Sequence, residues 1–211
     1  MADYIIYGIP ASTYVRTVRM ILHEKNQPYR IADVNIFEGE GRSEAHLARH
    51  PFGKIPVFQD GELMLYETPA IAEYLEGHHP EPALVPDEVV ARARMRQWQC
   101  VVDNYGYLNV IGKLVWQRLV NPMLGQPVDE AVVAASLPEV RHLGRLFNEA
   151  LADSTYLAGD RVSLADLYLA PITAYLALTP EGESLLKELP HYGRWWNNIQ
   201  ERSSFQETPF Q

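Results

Sequence analysis

Cysteine is nearly absent from this sequence, which contains a single one, Cys100, among 211 residues. One cysteine can form neither an internal disulfide nor a Cys-x-x-Cys redox pair. Any thiol chemistry must therefore come largely from a molecule outside the chain. Because no cationic residue stands beside it in the sequence, we expect Cys100 to be a small buried side chain rather than a nucleophile.

Basic residues are also scarce, since Lys and Arg total 18 against 27 Asp and Glu, and the formal net charge is -9. This balance argues against nucleic-acid binding, which depends largely on neutralising phosphates with Lys and Arg. No apolar run approaches the length of a membrane span, and the first residues lack the basic start and apolar core of a signal peptide. We therefore expect a cytoplasmic protein that binds neither nucleic acid nor a membrane.

Metal-binding patterns are missing as well. His78 and His79 are adjacent, but they have no cysteine or carboxylate partner at metal-ligand spacing. We expect no metal ion.

The first 77 residues alternate strand and helix signals. An aromatic and β-branched run at Tyr4–Tyr7 predicts a buried strand, and Ser12 is a candidate N-cap for a helix that reaches Asn26. A second strand at residues 29–34 is expected to run parallel to the first, because a helix joins them. After an acidic loop and a short helix, a hairpin and a last helix complete a β-α-β-α-β-β-α unit.

The hairpin is the most informative stretch of this unit. Two short apolar runs flank Asp60 and Gly61, a dipeptide suited to a tight turn. Thr68 then stands at a helix N-cap position, followed by Pro69 where a missing N–H costs nothing. Pro56 is unusual at the start of a strand, because it cannot donate to a sheet and leaves neighbouring backbone groups free to pair with something else.

A proline-rich stretch at residues 78–87 separates two parts of different character. Prolines at this density exclude a helix interior or a central strand, so we interpret the stretch as an interdomain linker. Residues 1–77 before it predict an α/β domain. Residues 88–211 after it show only helical patterns and predict an all-helical domain.

Three signals stand out within the helical part. Pro138 marks a kink or break in a helix predicted for residues 129–152. Ser163 and Asp166 form a capping box at the start of an apolar helix that we expect at the centre of the domain. Residues 203–211 are polar and are expected to lie loosely along the surface.

Several short motifs stand out together, and they are Pro10-Ala11-Ser12, Arg16-Thr17-Val18, Pro51-Phe52-Gly53-Lys54-Ile55-Pro56, Glu67-Thr68 and Ser163-Leu164-Ala165-Asp166. With these motifs the chain resembles the cytosolic glutathione transferase family, in its serine-type, phi-like branch. The resemblance covers nearly the whole chain. It implies a thioredoxin-like α/β domain followed by an all-α domain, a cis bond before Pro56, a homodimer, and glutathione as co-substrate in detoxification.

Ser12 is the candidate catalytic residue, with two interpretations. At the start of a helix its hydroxyl can donate to a bound thiolate and lower the pKa of the thiol, or it can serve only as an N-cap. The spacing leaves both open, and the resemblance favours the first. Alternatives are the adjacent Thr13 and Tyr14, and Tyr7, which stands where other branches of the family use a tyrosine.

The resemblance places glutathione along Ile55, Pro56, Glu67 and Thr68. The backbone of Ile55 can pair with the tripeptide like an added antiparallel strand. The amides and hydroxyl at Thr68 suit the γ-glutamyl carboxylate, and Glu67 can take the ammonium of the same group. Thr68 can equally be a plain N-cap, and the two roles are compatible.

Cations for the glycyl carboxylate are less clearly marked. Arg42 and Lys54 are the candidates, although a lone Lys or Arg is commonly solvated surface. The phi-like branch often has a histidine where this chain has Gly41, which departs from the pattern. Asp103 matches a position from which some family members reach glutathione bound by the partner subunit, but a carboxylate in the middle of a helix is commonly a surface charge.

Further residues are candidates for a hydrophobic substrate pocket, and they are Ile9, Tyr105, Tyr107, Ile111 and Trp116. An aromatic stripe at helical spacing is also typical of a packed core. Phe52 could enter the other subunit of a dimer or fold back on its own domain.

The sequence therefore predicts a glutathione transferase that joins the glutathione thiolate to a small hydrophobic electrophile, with peroxidase activity as a further option. A glutathione-dependent dehalogenase or isomerase is an alternative of the same chemistry. A non-catalytic ligand carrier or interaction module of the same fold is an alternative of another class.

Overall fold

The computed structural model describes residues 4–210, and the chain divides into two compact units. The first unit runs to Leu84 and takes in the chain again from Glu201, whereas the second comprises Val85–Gln200. The first combines a sheet with helices, and the named elements of the second are all helices. The predicted fold class, an α/β thioredoxin-like domain followed by an all-α domain, is confirmed.

The sheet of the first unit contains four strands in the order β2-β1-β3-β4. They are β1 (Tyr4–Tyr7), β2 (Tyr29–Ala32), β3 (Val57–Asp60) and β4 (Leu63–Tyr66). β1 pairs parallel with β2 and antiparallel with β3, and β3 pairs antiparallel with β4. The predicted parallel pair and the predicted hairpin are both present.

Three helices connect or follow the strands of this sheet. They are α1 (Thr13–Glu24), α2 (Glu44–Leu47) and α3 (Thr68–His78), with single 3₁₀ turns at Ile36–Glu38 and Glu40–Arg42. Four apolar residues at helical spacing in α1 are fully buried, and they are Val15, Val18, Ile21 and Leu22. Burial of this stripe is what holds a helix of this length in place, because helical propensity alone is too weak.

One row of residues crosses the whole sheet at the end of β1. Tyr7 pairs with Ala32 of β2 and with Val57 of β3, and Val57 pairs with Tyr66 of β4. The chain leaves β1 just after this row, enters β3 at the row, and leaves β4 just after it. The three connecting segments therefore meet at one edge of the sheet.

The second unit is built from consecutive helices. They are α4 (Val89–Val101), a π-helical segment (Val102–Val120), α5 (Asn121–Met123), α6 (Glu130–Ala150), α7 (Leu164–Leu176), α8 (Pro180–Glu188) and α9 (Pro190–Gln200). α4 continues directly into the π-helical segment. α6 runs through Pro138 without ending there. α7 is buried on nearly every side, as its apolar sequence predicts.

A buried carboxylate secures the start of α7. Asp166 is fully buried and accepts hydrogen bonds from Ser163 N (2.9 Å), Ser163 Oγ (2.8 Å), Leu157 N (2.9 Å) and Trp195 Nε1 (2.9 Å). Burial raises the pKa of this carboxyl, while the four donors favour its charged form. The predicted capping box is present, and through Trp195 it also joins α7 to α9.

The C-terminal segment does not lie loosely on the surface, so that prediction was wrong. α10 (Ser203–Gln206) packs against α1, and Ser204 and Thr208 are fully buried. Local patterns miss this packing because the residues of α1 that hold the segment lie almost the whole chain away in sequence, 189 positions in one case. We call residues 202–210 the C-terminal clasp.

Arg16 lies at the centre of the contact between α1 and the clasp. Its guanidinium sits between the rings of Phe205 and Phe210, at 4.0 Å and 4.2 Å from their centroids, and its Nη2 donates to the Phe205 carbonyl at 2.9 Å. Nearby, Arg19 Nη1 donates to the Pro209 carbonyl at 2.6 Å. Cation–π contacts are strongest for desolvated cations, and Arg16 is only 3% exposed.

A carboxylate fastens the start of the clasp to the other end of α1. Glu24 accepts from Arg202 Nε at 2.9 Å and Nη2 at 2.8 Å, and from Ser204 Oγ at 2.5 Å. Such a two-pronged guanidinium–carboxylate pair fixes geometry as well as charge. The clasp is therefore held at both ends of α1.

Cys100 is exposed on α4, so the prediction of a buried side chain was wrong. Met95 and Gln99 occupy the buried positions of that helix, and Cys100 falls on its outer side. Within residues 4–210, no helix is both long and apolar enough to cross a membrane, and no cluster of His, Cys, Asp or Glu is arranged to hold a metal ion.

We expect Phe205→Ala to lower the thermal unfolding midpoint, because it removes one of the two rings that cover Arg16. A loss of about 1–2 kcal/mol corresponds to roughly 2–8 °C for a chain of this length. Differential scanning calorimetry measures the shift. Leu178→Ala, at a side chain that is 62% exposed, is the control and should move the midpoint by less than about 1 °C. A wild-type midpoint for Phe205→Ala would contradict this account of the clasp.

Candidate functional site

Three segments from distant parts of the sequence meet at one edge of the sheet. Gly8 directly follows β1, Pro56 directly precedes β3, and Glu67 directly follows β4. Because these strand ends pair in one row, the three residues lie at the same edge. The sequence motifs around them are thereby brought together.

Gly8 forms the closest contact between two of these segments. A Cβ at this position would lie 2.5 Å from Val15 Cγ2 and 3.3 Å from Ile55 Cβ, and its φ is +154°. Only glycine fits such a close approach. The first turn of α1 and the residue before Pro56 therefore meet across Gly8, which places Ser12 and Ile55 in the same neighbourhood.

Ser12 is the N-cap of α1, and its Oγ accepts the Val15 N–H at a long distance of 3.4 Å. Its hydroxyl hydrogen is donated to no acceptor within residues 4–210. The Thr13 N–H likewise has no acceptor in that part of the chain. A half-buried hydroxyl and a backbone amide at a helix N-terminus thus remain available to an anion. The cap and the anion-binding role are compatible.

The other hydroxyl candidates are placed less well. The Thr13 side chain is 5% exposed, and Tyr14 is half-buried and already makes an interaction. The Tyr7 hydroxyl donates to Gln59 Oε1 at 2.6 Å, and the Arg49 guanidinium lies 4.4 Å over the Tyr7 ring. Of the four, Ser12 is the hydroxyl best placed to donate outward.

The segment before β3 presents unpaired backbone groups. The Ile55–Pro56 bond is cis, as the family resemblance implies, and β3 begins only at Val57. Neither the N–H nor the carbonyl of Ile55 hydrogen-bonds to another group within residues 4–210. The donor and acceptor of Ile55 can therefore pair with an extended peptide.

The start of α3 offers a second anchoring point. Glu67 is exposed and has a φ of +69°, which is uncommon for a residue with a side chain. Its carbonyl accepts from Ala70 and Ile71, and Pro69 has no N–H. The amide left without an acceptor in this part of the structure is that of Thr68, whose side chain is 5% exposed. Of the several free amides expected here, the structure thus leaves one.

Arg42 and Lys54 lie on either side of a close contact between two glycines. A Cβ on Gly41 would lie 2.6 Å from the Gly53 oxygen, and a Cβ on Gly53 would lie 2.5 Å from the Gly41 oxygen. Both cations are exposed, and neither forms an ion pair within residues 4–210. The contact gives a physical reason for Gly41, because a histidine there would collide with the Gly53 carbonyl.

Two buried histidines near this segment were missed by the sequence analysis. His46 Nε2 lies 2.8 Å from the Lys54 carbonyl oxygen. His50 Nδ1 accepts the Phe52 N–H at 3.3 Å, and the His50 ring lies 4.8 Å from that of Tyr66. Burial is the main cause that lowers the pKa of His50. Their spacing of four residues is the one signal in the sequence that they share a helical face.

The candidate pocket residues are divided between the two units. Ile9 is half-buried in the first unit. In the second, Ile111 is 8% exposed and belongs to the core, whereas Tyr105 is 55%, Tyr107 38% and Trp116 38% exposed. Their pocket role stays a prediction.

Asp103 is half-buried in the π-helical segment. Burial and, second to it, the charge of Asp103 raise the pKa of Tyr168, so this carboxylate acts on its own unit. Its predicted role toward a partner subunit stays a prediction.

Both halves of the chain match known family models. The model described as glutathione S-transferase, N-terminal domain, matches residues 6–83, and the one described as glutathione S-transferase, C-terminal domain, matches residues 107–203.

Among related proteins, glutathione S-transferase F7 of Arabidopsis thaliana is 31% identical over 97% of this chain and 98% of its own length. Probable glutathione S-transferase GSTF1 of Oryza sativa subsp. japonica is 35% identical over 94% and 92%. Glutathione transferase F7 of Populus trichocarpa has a similar crystal structure, with a TM-score of 0.89 and 31% identity over 97% of each chain.

The glutathione S-transferase I of maize, solved in complex with an atrazine glutathione conjugate, is also similar, with a TM-score of 0.87 and 33% identity over 98% of this chain and 96% of that one. The family models cover most of the chain, and the relatives align over nearly all of it. The chain belongs to the glutathione S-transferase family, in its phi-class branch.

Proposed function

We propose that this protein transfers glutathione to small hydrophobic electrophiles, with Ser12 stabilising the glutathione thiolate. The observation that carries the proposal is the contact at Gly8, where the first turn of α1 meets Ile55. This contact supports a site in which the hydroxyl of Ser12, at the start of that turn, lies beside a backbone that can hold a peptide. An available hydroxyl and the Thr13 amide then favour the charged form of a thiol bound between them.

Glutathione lies in this site as an extended peptide. Its cysteinyl backbone pairs with the N–H and C=O of Ile55, which no group in residues 4–210 occupies. Its γ-glutamyl carboxylate accepts from the Thr68 amide and hydroxyl at the start of α3, and its ammonium pairs with Glu67. Each of the two charged groups on the γ-glutamyl α-carbon thus has a partner of opposite charge or polarity.

The glycyl carboxylate pairs with Lys54 and Arg42. The Arg42 stem passes 3.5 Å from the Cβ position of Gly53, next to Lys54 in sequence, and both cations are exposed. Because exposed ion pairs contribute little, these residues select for a carboxylate more than they add affinity.

The reaction is a nucleophilic substitution or addition. The thiol proton passes to solvent, the sulfur forms a bond to the electrophilic carbon, and the leaving group departs with the bonding electrons, or an activated double bond takes up a proton. The protein supplies orientation and thiolate stabilisation and forms no covalent intermediate.

The same residues favour an enzyme that conjugates glutathione over a non-catalytic ligand carrier. A ligand carrier needs neither an available hydroxyl at Ser12 nor a peptide-binding edge at Ile55 and Thr68. The maize relative's atrazine glutathione conjugate is the product of joining glutathione to an aromatic ring, which supports an aromatic or other hydrophobic electrophile here.

The protein acts as a homodimer in the cytoplasm. Support for the dimer comes from an exposed apolar patch on the first unit, in which Phe52 is 63%, Met64 41% and Tyr66 39% exposed. Large exposed apolar side chains clustered in this way mark contact surfaces. Support for the cytoplasm comes from the co-substrate, since a free glutathione thiol and an exposed Cys100 both persist in a reducing compartment.

Ser12→Ala is expected to lower kcat/KM at neutral pH by about 10–100-fold, with little change in glutathione binding, because one of two thiolate donors is lost. Without that donor the thiol pKa rises, so the midpoint of kcat/KM against pH moves upward toward the unperturbed thiol at about 8.5. Steady-state rates between pH 5.5 and 9.5 with an aryl halide measure both effects. Ser184→Ala, at an exposed position on α8, is the control. A full-rate Ser12→Ala enzyme with an unshifted profile would refute the assignment.

Thr68→Val is expected to weaken glutathione binding by about tenfold, because it keeps the side-chain shape and removes one hydrogen bond to a charged group. kcat at saturating glutathione should stay within about twofold, since Ser12 is untouched. Isothermal titration calorimetry and initial rates separate the two. Thr155→Val, in the other unit, should bind as the wild type does, and equal affinity of all three proteins would count against the γ-glutamyl site.

Phe52→Ala is expected to weaken the dimer, because it removes the most exposed apolar side chain of the patch. Sedimentation velocity over a concentration series measures the monomer–dimer equilibrium. Phe37→Ala, at a side chain 41% exposed, serves as the matched control. A monomeric wild-type protein would exclude the dimer, and an unchanged equilibrium in Phe52→Ala would exclude this patch as its interface.

A further inference from the structure

A buried histidine holds the peptide group that precedes the glutathione-pairing residue. His46 is 1% exposed, in the short helix α2, and its Nε2 lies 2.8 Å from the Lys54 carbonyl oxygen. Because a carbonyl oxygen can only accept, the imidazole carries its hydrogen on Nε2. None of the steps proposed so far uses this side chain.

The bond acts on Ile55 through the geometry of one peptide group. The Lys54 carbonyl and the Ile55 N–H belong to the same peptide plane. This peptide bond is trans, because the cis bonds within residues 4–210 are those that precede Pro56 and Pro82. In a trans peptide the carbonyl and the N–H point in opposite directions. Drawing the Lys54 oxygen toward His46 therefore turns the Ile55 N–H away from His46, and no group within residues 4–210 accepts from that N–H.

The remaining surroundings of His46 give the ring no other polar anchor. Its Nδ1 is buried and has no hydrogen-bond partner within the part of the chain that the structure describes. The neighbouring ring is that of His50, 6.4 Å away and nearly parallel. Burying an imidazole with one nitrogen unsatisfied costs free energy that an apolar side chain would not incur. The hydrogen bond from His46 Nε2 to the Lys54 carbonyl is therefore the interaction that explains a histidine at this buried position.

We propose that His46 is a positioning residue for glutathione, because its hydrogen bond to the Lys54 carbonyl holds the Ile55 N–H in the direction in which it donates to the tripeptide backbone. His46 touches neither the thiol nor the electrophile and acts through Lys54. The inference rests on the proposed function, since it requires glutathione to pair with Ile55.

Two substitutions at this position separate the hydrogen bond from packing. His46→Phe keeps a ring of similar size and removes the donor, whereas His46→Gln places an amide N–H where Nε2 lies. We expect His46→Phe to raise the Kd and KM for glutathione by about tenfold, the effect of one poorly directed hydrogen bond. kcat at saturating glutathione and KM for the electrophile should stay within about twofold. His46→Gln should bind within about twofold of the wild type.

The control is His142→Phe, at an exposed position on α6, which should match the wild type throughout. The inference is overturned if His46→Phe binds glutathione as tightly as the wild type, or if His46→Gln is as impaired as His46→Phe. The second result would mean that ring volume, not donation, is what the site needs.

A measurement on the backbone itself covers the case in which His46→Phe does not fold. In ¹⁵N-labelled wild-type protein and His46→Gln, S-methylglutathione should shift the Ile55 amide resonance and slow its hydrogen exchange. His46→Asn, whose shorter amide cannot reach Lys54, should lose most of that shift. An equal shift in all three would overturn the inference. If the wild type itself binds no S-methylglutathione, the proposed function fails, which is a different result from wild-type binding that His46 does not influence.

Discussion

The pairing of Tyr7 with Val57 at the end of β1 is the contact on which the site depends. It sets the register that brings the exit of β1, the entry to β3 and the exit of β4 to one edge. Gly8 adds the first turn of α1 to this arrangement, because the absence of a Cβ lets Val15 of α1 and Ile55 approach the same point. A side chain at this one position would collide with Val15 and push the first turn of α1 away from Ile55.

Much of this arrangement was predictable from the sequence, because its elements depend on short local sequence patterns. Strand runs, the Asp60-Gly61 turn and the N-cap position of Ser12 are short patterns with local physical causes, and these are found in place. The cap predicted at Thr68 was wrong by one residue, because Glu67 is the N-cap of α3 and Thr68 is its first helical residue. What local patterns could not show are contacts between distant residues. The sequence shows Arg16 as an ordinary helix cation, and only the structure shows that Phe205 and Phe210 cover it. The hydrogen bond between His46 and the Lys54 carbonyl likewise depends on how α2 folds against the segment before β3.

Exposure was the other property that patterns predicted poorly. Cys100 and Gln99 are adjacent, and composition favours the cysteine as the buried one. The rotation of α4 nonetheless turns Gln99 inward, to 4% exposure, and Cys100 outward. Likewise, Gly41 departs from the family pattern, and the cause lies in the Gly53 carbonyl twelve residues later. For Gly41, the neighbour that excludes a side chain therefore lies on another segment of the chain.

The clasp makes the first unit discontinuous in the chain, with the helical unit inserted between its two parts. During synthesis, β1 to α3 leave the ribosome early, but Phe205, Phe210 and the partners of Glu24 follow only after all of Val85–Gln200. Until then Arg16 and Glu24 lack their final contacts, and α1 is held by its apolar stripe alone. The first unit is therefore begun first and completed last, and its final packing can form only after the whole helical unit has been synthesised.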